Sequence, residues 1–271
     1  MRRYALAHLT LLELDPPALV ETAAAAGYSH AGLRLRPAAP GGLFYDLAAS
    51  PALLRDTRAR LRATGLEIFD VEIIRLGPDF QIAPALPFLD AAAALGARAV
   101  LVAGDDPAPS RLAASYAALC AAAAARRLTA DIEFMPWTAV SDIAAARRLV
   151  EQAGQPANAG ILVDALHYAR SPGGPAAVAA IPRQLLHYAQ ICDAPAEIPA
   201  TVEGLIHTAR QERLLPGTGG IDMTGMLRAL PADLPLSVEM PNIRLAPARG
   251  PLNWAKDCLA ASKKLAEEAF A

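Results

Sequence analysis

Four polar side chains stand at the ends of apolar runs that are typical of strands buried on both faces. The runs are LTADIE, GILVD, LLHYAQ and LPLSVE, and they end in Glu133, Asp164, Gln190 and Glu239. A carboxylate that follows several apolar residues is costly to bury unless a partner binds it. Three carboxylates and one amide oxygen are hard ligands, which suit Mn²⁺ or Mg²⁺ and leave Zn²⁺ or Co²⁺ open. The four residues therefore predict one divalent-metal site, the alternative being that each acid pairs with an arginine.

The elements that must position these residues are strands that alternate with helical segments. Eight strand-like runs recur at a spacing of about 30 residues. This pattern predicts an α/β fold, a single (β/α)8 TIM barrel domain over residues 1–271, with the metal site at the C-terminal end of the strands. A doubly wound open sheet is the rival, but it would show a glycine-rich turn after the first strand. The predicted strands are 4–10, 29–35, 66–76, 98–103, 128–135, 159–165, 185–192 and 236–240.

Strand periodicity sets which side chains reach the mouth of such a barrel. Successive side chains alternate between faces, so Asp131 and Glu133 are predicted to point the same way, as are Ser237 and Glu239. The four strand-end residues should then converge on the barrel axis. Arg75, at the end of the third strand, could bind a phosphate or carboxylate, and a surface role is the alternative.

Three further residues are predicted to line the pocket and bind substrate. Glu72 lies on the third strand and should face the site, unless it forms an ion pair with Arg34 or Arg98. His8 ends the first strand, where a structural role is the alternative. Trp137 follows the fifth strand and could stack on a sugar ring or simply pack against the core.

Composition narrows the class of protein. Lys and Arg number 25 against 27 Asp and Glu, for a net charge of -2, and no basic run stands out, so a nucleic-acid partner is not expected. The three cysteines are scattered, which favours a reducing cytoplasm. The N-terminal apolar run is interrupted by His8, Glu13 and Asp15, so it makes a poor signal peptide, and no membrane span is expected.

Five motifs of the chain match a pattern known from other barrels. They are IEFMPW (132–137), GILVDALHYAR (160–170), AQICDAP (189–195), RLLPGTGGID (213–222) and LSVEMPN (236–242). On these motifs the chain resembles the sugar phosphate isomerase/epimerase superfamily, the xylose isomerase-like barrels, over essentially its whole length. The resemblance implies a divalent metal on the same four strand-end residues, with Gln190 where the common pattern has histidine. It also implies that His167 contacts substrate or the metal-bound water and that Arg213 points at substrate oxygens.

The same resemblance implies a reaction on a sugar, keto-sugar or similar polyol. It is proton abstraction next to a carbonyl through a metal-stabilised enediolate, with Glu133 and Glu239 as the acid–base pair. Returning the proton to the same carbon gives an epimerase, and returning it to the neighbouring carbon gives an isomerase. Loss of a β-hydroxyl or an aglycone would instead give a lyase or dehydratase of the keto-inositol, dehydroshikimate or oxidised-glycoside type. The sequence leaves these outcomes open.

Two other classes of protein share features with this chain. Endonuclease IV-like enzymes share the barrel, but they need a His-rich multi-zinc site and basic loops, and five scattered histidines and a net negative charge argue against them. A sugar-binding protein with a degenerate site stays open because of Gln190. The terminal helix predicted over 251–270 could close the barrel or form an interface, which leaves a homodimer or homotetramer open.

Overall fold

The computed structural model describes residues 2–270, and its centre is a closed barrel of eight parallel strands. The strands pair in chain order, and the last pairs with the first through Tyr4 and Leu236. Helices connect successive strands, so the chain is a (β/α)8 TIM barrel, which confirms the predicted fold. The strands are β1 (Tyr4–Leu6), β2 (His30–Arg34), β3 (Glu67–Leu76), β4 (Ala99–Gly104), β5 (Thr129–Glu133), β6 (Ala159–Asp164), β7 (Ala189–Ile191) and β8 (Leu236–Val238).

The helices surround the barrel and begin where the sequence supplies caps. Asp15 accepts a hydrogen bond from the Ala18 N–H at 2.9 Å, and Pro16 occupies the first helical position. Gly27 ends that helix in the left-handed conformation. The helices are α1 (Pro16–Ala26), α2 (Pro51–Thr64), α3 (Leu86–Ala94), α4 (Pro109–Ala124), α5 (Ile143–Gln152), α6 (Ala165–Ala169), α7 (Gly174–Ala179), α8 (Val202–Gln211), α9 (Met223–Ala229), α10 (Leu245–Arg249) and α11 (Pro251–Phe270).

The core has two layers because strand side chains alternate between the barrel interior and the helices. On β4, Val100 and Val102 belong to the large layer between strands and helices. Leu101 belongs to a smaller cluster inside the barrel, where Phe69 and Tyr188 are the bulkiest members. Alanines at neighbouring inward positions make room for these rings. Filling the interior at this level leaves the polar strand ends above it at the mouth.

Several predicted boundaries differ from the structure. Strand β1 ends at Leu6, since residues 8–11 turn into a 3₁₀ helix, and β7 begins only at Ala189, after another 3₁₀ turn at 183–185. The residues directly after β6 form the short helix α6, which carries His167. Asp164 caps α6 by accepting the His167 N–H at 3.0 Å, so one carboxylate ends the strand and starts the helix. No described helix is long and apolar enough to cross a membrane.

Candidate active site

The C-terminal ends of four strands deliver the predicted metal ligands to the barrel mouth. Glu133 ends β5, Asp164 ends β6, Gln190 lies in β7 opposite Asp164, and Glu239 directly follows β8. All four side chains are buried. The parallel register therefore places at one end of the barrel residues that are up to about a hundred positions apart in the chain.

The tightest ligand-like group at the mouth combines two of these acids with a histidine. Glu133, Asp164 and His167 offer atoms that all lie within 4.8 Å of one another. His167 Nε2 is 3.8 Å from Glu133 Oε1 and 3.9 Å from Asp164 Oδ1. Burial lowers the pKa of His167 to about 4, so the ring is neutral at physiological pH and can bind a cation. The geometry thus makes His167 a candidate ligand, where the resemblance implied contact with substrate or water.

Arg213 joins two of the predicted ligands to each other. Its Nη1 lies 2.6 Å from Asp164 Oδ2 and its Nη2 lies 2.9 Å from Glu239 Oε2, while its Nε donates to the Ala209 carbonyl at 2.8 Å. The guanidinium is fully buried, so its strongest contacts are to protein and not to solvent. The sequence left open that each acid pairs with an arginine. The structure shows this pairing for Asp164 and Glu239.

The carboxylates at the mouth carry more negative charge than this one arginine offsets. Burial raises the pKa of Glu133 well above its usual range, and the charges of Asp164 and Glu239 raise it further. Burial also raises the pKa of Glu239 to about 7, although Arg213 opposes the shift. For Asp164, burial is outweighed by the charge of Arg213, and the pKa is lowered. A divalent cation is the kind of ligand that would relieve this crowding.

Gln190, which is neutral, also supports a divalent-cation site. Its side chain is fully buried, yet neither its amide oxygen nor its amide nitrogen has a hydrogen-bond partner among the described residues. An unpartnered buried amide costs roughly 1–3 kcal/mol, so such a group usually has a ligand or water to bind. The amide oxygen is a hard donor, which fits a site made mostly of carboxylates. The residues present therefore fit a divalent metal.

The remaining residues predicted to line the pocket differ in how far other protein groups already engage their side chains. Glu72 forms a buried ion pair with Arg34, the alternative weighed from sequence, yet both line the same pocket as Glu133. Trp137 also lines it and meets the His167 ring edge to face, with centroids 5.0 Å apart.

His8 is placed differently from the expectation. Its Nε2 contacts the Leu14 carbonyl at 2.9 Å, and its Nδ1 accepts the Arg34 backbone N–H at 2.9 Å. The ring is fully buried and stacks on Tyr45, and burial lowers its pKa to about 4. Both ring nitrogens are thus used by the backbone, and no atom of His8 is free to bind substrate. His8 thus links the segment after β1 to the end of β2.

Sequence reasoning missed one pocket residue and ranked two others low. Arg34 is predicted only as a partner for Glu72, Arg75 is predicted either to bind a phosphate or carboxylate or to lie at the surface, and Arg210 has no predicted role. All three line the pocket that holds Glu133 and Glu239. The available signal was that Arg210, in the last turn of α8, precedes Arg213 by only three residues.

Comparisons with known proteins agree with this architecture. No curated protein matches the chain. A fusion of a xylose isomerase-like TIM barrel with a 4-hydroxyphenylpyruvate dioxygenase superposes with a TM-score of 0.83 at 24% identity, over 99% of this chain. The chain spans only 43% of that fusion protein.

Two smaller proteins match over nearly their full length. The IolI protein, solved with a bound zinc atom, gives a TM-score of 0.78 at 15% identity and covers 99% of each chain. A D-allulose 3-epimerase from Methylomonas sp., in complex with D-allulose, gives 0.69 at 16% identity, over 97% of this chain and 96% of that one. The sequence profile of one family matches residues 20–264. The chain belongs to the xylose isomerase-like TIM barrel family.

Proposed function

We propose that this chain is an enzyme that moves a proton on the carbon next to a carbonyl of a sugar or keto-sugar, as an isomerase or epimerase. The observation that carries the proposal is the pair Glu133 and Glu239. Both are buried carboxyl groups that line one pocket, and both have raised pKa values. A general acid or base works best when its pKa lies near the operating pH. The epimerase among the structural neighbours supports the same class.

The two carboxyl groups reach the pocket from different sides of the barrel. Strands β6 and β7 separate β5 from β8, so Glu133 and Glu239 approach a substrate from separate directions. One of them can remove a proton and the other can return it. Trp137 and His167, whose rings pack edge to face, line the pocket together with Glu133. We assign the proton transfers to these two glutamates.

A divalent cation would be held by Glu133, Asp164, Gln190 and Glu239, with His167 as a further ligand. When bound, such a cation supplies Lewis-acid stabilisation of negative charge on substrate oxygens. Mn²⁺ or Mg²⁺ suits the oxygen ligands, while His167 and the zinc in the IolI structure keep Zn²⁺ open, and Co²⁺ is also compatible. Arg213 lowers the pKa of Asp164 and so keeps this ligand ionised.

A lyase is the second candidate, and the same two carboxyl groups could serve it. Eliminating a β-hydroxyl requires a base that takes the proton next to the carbonyl. The electrons of that C–H bond then form the double bond, and a separate acid protonates the departing oxygen to give water. Glu239, whose pKa is raised to about 7, lines the same pocket as Glu133 and can act as this acid while Glu133 takes the proton.

The test is a mass-resolved screen of keto-sugars and cyclic hydroxyketones in D₂O with Mn²⁺. An isomerase or epimerase gives a product with the substrate's composition, carrying deuterium at the exchanged carbon, whereas a dehydratase gives loss of one water. Glu133→Gln and Glu239→Gln should abolish turnover, while Glu151→Gln on the exposed face of α5 serves as the matched control.

Two results would contradict the proposal in different ways. Full activity in both pocket variants would show that the acid–base assignment is wrong. Absence of turnover across the screen, together with no divalent metal in the purified protein and no rescue by added Mn²⁺, would favour a sugar-binding protein without catalytic activity.

A further inference from the structure

Three arginines from separate elements line the same pocket as the carboxylates. Arg34 ends β2, Arg75 lies near the end of β3, and Arg210 lies near the end of α8. We call them the arginine rim. They share the pocket with Glu133 and Glu239, so a molecule bound at those two glutamates lies close to the rim.

The rim arginines are only partly neutralised by the protein. Arg75 donates to Asp105 at 2.7 Å and to the Ala38 carbonyl at 3.2 Å. Arg34 pairs with Glu72, but its Nε is buried without a partner. Arg34 is 6% exposed, so this unpaired N–H has little access to bulk water. A buried donor of this kind calls for an acceptor from a ligand.

Arg210 is the least neutralised member of the rim. Within residues 2–270 its side chain forms no hydrogen bond and no ion pair, although it is half-buried. Burial lowers its pKa, and the positive charges of Arg34 and Arg75 lower it further. Arg34 and Arg75 each have one acidic partner, whereas Arg210 has none in the described part of the chain, so an anion that binds beside Arg210 would offset a positive charge that the protein leaves unpaired.

We propose that the substrate carries an oxyanion, a carboxylate or a phosphate, which Arg210 binds together with Arg34 and Arg75 while the carbonyl end reaches Glu133 and Glu239. This inference rests on the proposed function and narrows its substrate class. Guanidinium groups donate parallel N–H bonds that match both oxyanions, so the rim recognises the chemistry they share. The neutral keto-sugars of the same size would lack this contact.

Anion binding can be tested without knowing the substrate, by NMR of the arginine Nε–Hε groups in the wild-type chain. The Arg210 resonance is assigned by its loss in Arg210→Lys. Inorganic phosphate and acetate are titrated at constant ionic strength against chloride, with acetamide as the neutral counterpart of acetate. We expect a saturable shift of the Arg210 resonance with at least one oxyanion and none with acetamide, while exposed Arg183 stays unchanged.

The outcomes separate the two sources of oxyanion. Saturation by acetate alone indicates a carboxylate, saturation by phosphate alone indicates a phosphate ester, and saturation by both indicates a site that accepts either. No saturable shift, or the same response to chloride or acetamide, would overturn the proposal.

Kinetics with whichever substrate the screen identifies give an independent test. Arg210→Met should raise KM by about 10- to 100-fold with little change in kcat, because a charged hydrogen bond away from the reacting carbon is lost. Arg210→Lys should restore part of the affinity, and Arg183→Met should match wild type. Efficient turnover of a neutral keto-sugar, unaffected by Arg210→Met, would remove the oxyanion inference and leave the proposed function intact. Anion binding at Arg210 without turnover of any substrate would support the oxyanion site and remove the proposed function.

Discussion

Two carboxylates on the same strand, two residues apart, have opposite surroundings. Asp131 lies deeper in the barrel, where His187 Nδ1 contacts its Oδ1 at 2.7 Å and the Thr129 hydroxyl donates to its other oxygen. Glu133 lies at the mouth and accepts no hydrogen bond from the residues that the structure describes. His167 Nε2 lies 3.8 Å from its Oε1. Both side chains are buried, so depth alone does not explain the difference.

The comparison separates a structural acid from a functional one. The charge of Asp131 is satisfied within the fold, and this acid can only contribute to stability. The charge of Glu133 is opposed by burial and by Asp164 and Glu239, so this acid is held in a costly state. Proteins retain such groups where a ligand or a reaction uses them. We therefore expect substitutions at the two positions to affect different properties.

The largest expected effect is the loss of activity in Glu133→Gln. Removing a general base costs about 10²- to 10⁴-fold in kcat, and replacing a crowded carboxylate by a neutral amide should leave stability equal or higher. Asp131→Asn should do the opposite, because it weakens a buried charged pair while leaving the pocket intact. Both variants are compared by kcat and by urea unfolding. Equal losses of activity and stability in both variants would remove the distinction between the two acids.

Arg213→Met should cause the next largest effect, this time on stability at the mouth. Arg213 contacts Asp164 and Glu239, so its removal leaves two buried carboxylates without their main counter-charge. Breaking a buried pair in this way costs roughly 3–5 kcal/mol of unfolding free energy. The exposed pair Arg60–Glu21 gives a matched control, for which Arg60→Met should cost at most about 1 kcal/mol.

A double variant sharpens this test of the mouth. Adding Asp164→Asn to Arg213→Met removes one of the unpaired charges, so part of the lost stability should return. Urea unfolding of the single and double variants measures the recovery. If the double variant is less stable than Arg213→Met, repulsion between the buried carboxylates at the mouth is not the cause of the lost unfolding free energy.

The sequence was sufficient for the barrel and for the identity of the strand-end acids. Apolar runs recur because parallel strands are buried on both faces, and each run ends in a polar residue where the strand reaches the mouth of the barrel. The order of the strands then brings these polar ends together. Strand parity also correctly indicated that Asp131 and Glu133 share a face. The distinction between them was not available, because the partner of Asp131 is His187, 56 residues away.

Other misses have the same physical origin. His8 was expected at the pocket, but both its nitrogens bind backbone groups whose positions depend on how β1, β2 and the following turn pack. Arg213 does line the pocket, where the resemblance implied that it points at substrate oxygens. Its contacts to Asp164 and Glu239 could not be predicted, because they depend on three elements that meet only in the closed barrel. Periodicity shows which face a side chain takes, whereas the choice among nearby partners is decided by tertiary packing.

A smaller effect is expected at the deeper acid, in His187→Gln. Asp131 is fully buried, and His187 supplies one of its two side-chain hydrogen bonds. Losing a hydrogen bond to a charged group costs about 1.5–3 kcal/mol, and the new amide recovers part of it if it can reach Asp131. Unfolding free energy should therefore fall by about 2 kcal/mol while kcat stays unchanged. A drop in kcat without a drop in stability would place His187 in the active site, against the comparison drawn above.

The smallest expected effect is a pH dependence that belongs to the deeper acid. Burial lowers the pKa of His187, but the hydrogen bond and charge of Asp131 outweigh it, so the net pKa is raised above 6.5. Stability from this pair is therefore fully present below about pH 6.5 and is lost as pH rises through the folded pKa. Glu239, with a pKa of about 7, titrates in the same window, so the wild-type curve alone is ambiguous. Subtracting the His187→Gln curve isolates the histidine, and the difference in unfolding free energy should shrink as pH rises above about 6.5. A difference that stays constant or grows with pH would show that Asp131 does not hold a protonated His187, and the deeper end of β5 would then be no better neutralised than its mouth.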